Sequence, residues 1–417
     1  MIYFVCFIAS ATAAYFAHKT SDRKKFLILS VISILITTLL AGLRAYEIGI
    51  DTMSYMTKKR YWQGAVSAES LGTYMKYYMG IGYGEPLFAL LCGIVAQTFG
   101  NYSVFLLLVH AIIVSGVYIG AHRLRKIVNP AFVLLLFYLV FYHHSLNIMR
   151  QYMAQAIVFA ALADILKKKY IRYCIAVIVA AMFHTAALLG FAALIIYWFL
   201  YLDWKVLFEK FQSFAGKLRR LGDKKKQEVK TGAFEESRKT RTLIRDLRGN
   251  DDLIRRRQII LFAGLSLLVL VFSPLCRLAI NLGLLNEKYL WYLDMSRAQH
   301  TTLITLFLLV EMSALIVYHK YLRRRYRSFD FFFTNSGAYL ITHQISLFLV
   351  YGKRVAACFS FANLVTIAMI PQMFKDKKKR LLVYTLVSGV VVFYWYYSYI
   401  LRNASQTYPY AFVFMQG

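Results

Sequence analysis

Ser103-Val104-Phe105-Leu106-Leu107-Leu108-Val109-His110-Ala111-Ile112-Ile113-Val114-Ser115-Gly116-Val117-Tyr118-Ile119-Gly120-Ala121 is the stretch whose reading decides the fold. It holds no Asp, Glu, Lys or Arg, and His122-Arg123-Leu124-Arg125-Lys126 follows at once. An apolar run of roughly 18 residues or more crosses the hydrocarbon core of a bilayer. Lipid offers the backbone no hydrogen-bond partner, so such a run is a helix. A basic cluster directly after it reads as the cytoplasmic end of the crossing.

Runs of this kind recur from one end of the chain to the other. Of 417 residues, 59% are apolar and only 17% charged, against about a quarter charged in a soluble domain. The net charge is +30, which on a soluble protein would suggest nucleic acid. Here the basic residues sit in short clusters between apolar runs, the pattern of membrane topology and of attraction to anionic lipid. The expected partner of that charge is the lipid bilayer, and no nucleic acid. Ile2 to Ala17 is apolar from its start and lacks a basic leader, so it reads as a retained helix. The five cysteines lie inside apolar runs with no CxxC pair, so neither a disulfide nor a metal site is expected, and no cofactor.

The charge pattern predicts an all-α polytopic membrane protein. The basic clusters His18–Lys25, His122–Lys126, Lys167–Arg172, Lys205–Arg257, His319–Arg327 and Lys375–Arg380 are assigned to the cytoplasm. Crossings are then expected near 2–17, 26–43, 103–121, 130–144, 147–166, 171–184, 186–201, 258–280, 301–319, 331–351, 355–373 and 381–400, about twelve, with both ends outside. The segment 86–100 is apolar but too short to fit this count, and is predicted to be a re-entrant helix dipping from the outer face. The expected organisation is an N-terminal transmembrane half over 1–204 with an outer loop at 44–85, a basic cytoplasmic insertion at 205–257, and a C-terminal transmembrane half over 258–417. The insertion reads as a solvated linker, or as a docking site for a regulatory partner.

Ionisable residues beside apolar helices are costly and therefore mark function. On this topology they gather outside, together with the polar Asn147 and Gln151: Arg44, Asp51, Glu85, His143, His144, Arg150, His184, Arg277, Asp294, Arg297, His300, Lys353 and Arg354. Positive-inside bias does not account for the basic ones. Arg150 stands about one turn into an apolar helix, where a guanidinium needs an anionic partner, protein or ligand. Together with Arg44 and Arg354 it suggests a phosphate or diphosphate ligand, which the guanidinium fork matches. Asp51 and Glu85 are candidate general bases, and His184 a candidate for proton transfer. Tyr55, Tyr61, Trp62, Tyr74, Tyr77, Tyr78 and Tyr83 read either as interfacial belt and core or as a glycan groove.

These residues occur in an ordered set that resembles the Wzy-type polysaccharide polymerases, in their EpsG-like branch. The set begins with Gly42-Leu43-Arg44, then Gly49-Ile50-Asp51 and Tyr55, where Ile50 replaces the family's usual Thr. Glu85-Pro86-Leu87-Phe88, Met149-Arg150-Gln151 with Ala154, and Ala180-Ala181-Met182-Phe183-His184-Thr185 follow, and then Arg354 and Pro409-Tyr410-x-Phe412. The resemblance implies a GT-C-like membrane glycosyltransferase of the bacterial cytoplasmic (inner) membrane, with its active site facing the periplasm or exterior. It implies an undecaprenyl-pyrophosphate-linked oligosaccharide as substrate, no metal or nucleotide sugar, and a chain-length regulator as a candidate partner. Under this reading Arg44, Tyr55, Arg150, Gln151 and Arg354 bind substrate, and Asp51, Glu85 and His184 are the candidate catalytic groups. Competing readings are a flippase for lipid-linked oligosaccharide, a ligase and an acyltransferase. A flippase would predict internal repeats, and the sequence shows none.

Overall fold

The computed structural model describes residues 1–82, 84–202, 251–293, 302–349 and 352–415. Most of the basic insertion, together with Tyr83, Asp294, Arg297 and His300, lies outside the described residues, as does the side chain of Lys353.

The described chain is helical, and its only bridge of strand type joins Arg44 to Phe412. Helices α1 (Ile2–Lys19) and α2 (Arg23–Gly42) form a hairpin. Three short helices follow: α3 (Thr52–Thr57), α4 (Trp62–Ser67) and α5 (Leu71–Gly80). Next come α6 (Pro86–Phe99), α7 (Tyr102–Arg123), α8 (Pro130–Val140), α9 (Tyr142–Ser145), α10 (Met149–Leu166), α11 (Tyr170–Ala181) and α12 (Phe191–Tyr201). The second half holds α13 (Asp251–Asn281), α14 (Thr302–Val317), α15 (His319–Arg325), α16 (Phe329–His343), α17 (Gly352–Met369) and α18 (Lys377–Trp395).

Helix starts follow from local chemistry. Asp22, Asn101, Asn129 and Asp376 each accept a hydrogen bond from a backbone N–H of the turn that follows. Each such cap contributes about 1 kcal/mol. Pro86 and Pro130 open their helices, where a missing N–H costs nothing. Gly100 closes α6 in the left-handed region, at φ 59°.

Among the described residues six helices are long and apolar enough to cross a membrane, or up to seven if the bent pair Leu303–Val317 and His319–Arg325 is one span. The expected count of about twelve is larger than these helices account for. Helices occupy all the expected crossings, but several are short or broken. Pro86–Phe99, Pro130–Val140, Tyr170–Ala181 and Thr185–Tyr201 are apolar yet below spanning length. The run expected at 130–144 breaks at Phe141 between α8 and α9. The run at 186–201 begins as a 3-10 turn over Thr185–Gly190. Helix α13 starts at Asp251, inside the expected insertion, and Arg257 donates to the carbonyls of Phe199, Leu200 and Leu202 at the end of α12.

The packing centre is α7 against α10. A Cβ on Gly116 would lie 2.8 Å from the Ala156 carbonyl, and one on Gly120 would strike the Phe159 ring. Two glycines one turn apart let the backbones approach closely, the usual device where lipid supplies no hydrophobic drive between helices. Helix direction then sorts residues by end. His18 Nε2 and His122 Nδ1 meet at 2.9 Å, and Arg123 pairs with Asp164, at one end of the bundle. The start of α1, the end of α2 and the starts of α7 and α10 lie at the other.

Candidate functional site

At that second end the polar residues converge. Glu85 precedes Pro86 as the N-cap of α6. Leu87 donates its N–H to Met182 O at 3.0 Å, which docks the start of α6 on the turn after α11. That turn exists because α11 stops at Ala181 and His184 adopts extended backbone before the 3-10 segment. The docking brings Glu85 and His184 face to face, although the chain separates them by 99 residues.

Glu85 is buried and both its oxygens are used. Oε2 pairs with Arg150 Nη1, and Oε1 lies 2.5 Å from His184 Nδ1. The backbone N–H of Thr185 also points at Oε1, at 3.4 Å. Burial alone would raise the carboxyl pKa. The hydrogen bond from His184 and the charge of Arg150 outweigh it, and hold Glu85 below its ordinary 4.5. An ionised carboxylate only accepts, so His184 Nδ1 carries the proton. In the neutral ring Nε2 is then a free lone pair.

Arg150 sits in the first turn of α10, its side chain 17% exposed. Its guanidinium carbon lies 5.1 Å from the Tyr61 ring centre, 5.6 Å from Tyr55 and 5.7 Å from Phe88. Arg150 Nε donates to Tyr55 Oη at 3.3 Å. The aromatic faces hold the planar cation and the carboxylate fixes its rotation. Among the described residues Nη2 makes no hydrogen bond.

Gln151, next along α10, faces a different neighbour. It donates to the backbone carbonyl of Arg354 at 3.0 Å, tying α10 to α17. Gln151, Gln155, Asn335, Phe159, Phe361 and the exposed Arg354 line a cavity. The side-chain carbonyl oxygens of Gln151, Gln155 and Asn335 are buried without a partner. A hydroxyl-bearing ligand entering beside Arg354 would meet acceptors there.

Asp51 stands just before α3. Its backbone N–H points at Asn147 Oδ1, 3.4 Å away, and its carboxylate makes no capping bond.

One expectation needs correction, and one open choice is narrowed. Arg44 is not placed to grip a ligand, because its side chain is fully buried, at 0% exposure. It donates to Ala41 O at 2.7 Å, Leu146 O at 3.1 Å and Thr52 Oγ1 at 3.4 Å. The guanidinium braces α2 against the start of α10. The glycan-groove reading of the outer tyrosines also fails for most of them. Tyr55, Tyr61, Trp62, Tyr74 and Tyr78 are core, and only Tyr77 of the described set is exposed. The roles of Tyr61 and Phe88 beside Arg150 were missed, since ring stacking leaves no spacing signal between segments so distant.

The molecule is thus a helical, membrane-integral protein with a carboxylate, a guanidinium and an imidazole assembled from three separate elements at one end. The EpsG family matches residues 27–214 and 253–412, and the chain belongs to the EpsG family. Membership points to exopolysaccharide-related polymerisation. No curated protein and no solved structure matches the chain.

Proposed function

We propose that the protein is a membrane glycosyltransferase of the broad GT-C type. It would polymerise undecaprenyl-pyrophosphate-linked oligosaccharide repeat units at the outer face of the bacterial cytoplasmic membrane. The observation that carries this reading is the Glu85–His184–Arg150 cluster. Its Glu85 pairs with both Arg150 and His184, which would leave an imidazole lone pair and a guanidinium N–H, neither bonded among the described residues, for a substrate of a chain in the EpsG family.

The reaction divides between these groups. An acceptor sugar hydroxyl attacks the anomeric carbon of the donor, and its proton passes to His184 Nε2. Glu85 holds the ring in the tautomer that makes Nε2 the acceptor, and stabilises the imidazolium once formed. The bond from the anomeric carbon to the diphosphate oxygen breaks, and the electron pair leaves with the lipid diphosphate. Arg150, through Nη2, opposes the charge that builds on that oxygen. Gln151, next to Arg150 along α10, and Arg354 line a cavity of their own and would bind the headgroup or first sugar. Asp51 is the alternative base, because among the described residues its carboxylate makes no capping bond. With both oxygens of Glu85 engaged, the proposed chemistry runs on guanidinium and imidazole without a metal.

Reconstitution with a purified lipid-linked repeat unit tests the reading. A ladder of longer glycans supports it. Movement of the unit across the vesicle without elongation identifies a flippase instead and overturns it.

A further inference from the structure

Three features noted in the sequence have no part in the reaction above: Asn147, His143-His144 and the segment with Pro409-Tyr410-x-Phe412. The structure brings them together. After α18 the chain folds back as a strap over residues 403–413. Ala45 N–H donates to Ala411 O at 2.8 Å, Val413 N–H to Leu43 O at 2.9 Å, and Gly49 N–H to Gln406 O at 2.8 Å. His143 fixes the strap from below, its Nδ1 lying 2.7 Å from Thr407 Oγ1. Trp395 donates to His143 Nε2 at 2.8 Å, so that ring is a neutral spacer, protonated on Nδ1. Tyr3 and Tyr410 add hydroxyl bonds to Thr407 O and Leu40 O, each at 2.9 Å.

Asn147 is the point where this strap, the Asp51 loop and the start of α10 meet. Its Nδ2 donates to Ser405 O at 3.0 Å. Its Oδ1 faces the N–H of Asp51 at 3.4 Å. Arg150 follows three residues later on the same chain. Gly49 shows how tight the joint is: its φ is +98°, and a Cβ there would lie 2.6 Å from Asn147 Oδ1. A side chain with one donor and one acceptor, used in opposite directions, is what the joint requires.

We propose that Asn147 is a positioning residue, which locks the Asp51–Tyr55 segment and the Arg150 turn into one frame through the 403–413 strap. The proposal rests on the polymerase reading for its consequence in catalysis, and on the joint itself for its consequence in structure. Tyr55, four residues after Asp51, is the group that accepts from Arg150 Nε. Loosening the joint therefore shifts the guanidinium as well as the carboxylate.

The test uses the full chain in membranes, with Asn147→Ala, Asn147→Asp and Gly49→Ala compared. Amide hydrogen exchange is followed over 44–52, over 403–413 and, as a control, within α7. Asn147→Ala should speed exchange in both segments by about tenfold, the loss of roughly one hydrogen bond, and leave α7 protected. Elongation should fall by at least about tenfold in kcat with donor KM little changed, because misplacement rather than lost contact is at fault. Asn147→Asp keeps the acceptor and should restore protection to 44–52 but not to the strap. Gly49→Ala breaks the same joint from the other side and should reproduce the alanine phenotype. Unchanged exchange in both segments, or equal loss of protection in α7, overturns the proposal. If the wild-type chain elongates nothing, the polymerase reading fails, while the exchange arms still decide the role of Asn147.

Discussion

Arg150 carries the heaviest demand of any single residue. Arg150→Ala should cost elongation at least about a hundredfold, the scale of removing one charge-stabilising donor, while membrane abundance measured by immunoblot stays normal. Arg150→Lys should not rescue, since an ammonium can neither stack flat on Tyr61 nor donate in two directions. His184→Asn should lower the rate by about 10²–10⁴-fold, the range of a general base. If His184→Asn keeps full rate and Asp51→Asn does not, Asp51 is the base. The cluster also sets an acid limit. Glu85 has its pKa lowered in the fold, so its contribution to stability is complete above the ordinary value of 4.5 and is lost as pH falls through the depressed one. Thermal unfolding in detergent should therefore show an acid destabilisation below pH 4.5 that Glu85→Gln removes. Glu85→Ala should cost about 1–3 kcal/mol, because it leaves the half-buried Arg150 guanidinium without its carboxylate. These three residues were legible in the sequence, since charge beside apolar helices needs a reason. Arg44 was misread by the same logic. Its reason is a set of backbone carbonyls, and carbonyl acceptors have no sequence signature.

At the scale of elements, the apolar runs placed the long helices, while the short α3, α4 and α5 lie in what reads as an outer loop. What the runs concealed was where a helix stops inside them. The break at Phe141 leaves hydropathy unchanged, because the residue there is itself apolar, whereas the one at Phe183-His184 falls between the expected crossings 171–184 and 186–201. Those breaks matter, as the second one turns His184 toward Glu85. The contact of α7 with α10 should be the least tolerant in the bundle. Gly116→Val should lower stability by about 1–3 kcal/mol, the cost of overpacking a tight interface, read as a fall in Tm. The same change at Gly264, where a Cβ meets nothing within 4 Å, should be silent.

For the molecule as a whole, orientation is the claim with the widest consequences. In a background without the five native cysteines, a membrane-impermeant maleimide added to intact cells should label Arg402→Cys and leave Lys378→Cys untouched. Both positions are exposed at opposite ends of the last long helix. The reverse pattern would put Glu85, Arg150 and His184 on the side where nucleotide-activated sugars are made, and the lipid-linked donor would no longer be the natural substrate. The strap adds a consequence in time. Tyr3 waits for Thr407, 404 residues later. At about 5–20 residues per second, a ribosome needs roughly 20–80 s to deliver that partner. Until then the loop bearing Asp51 has Asn147 and Tyr102 to lie against but not the strap. The joint at Asn147, which needs Ser405, is therefore among the last parts of the fold to close.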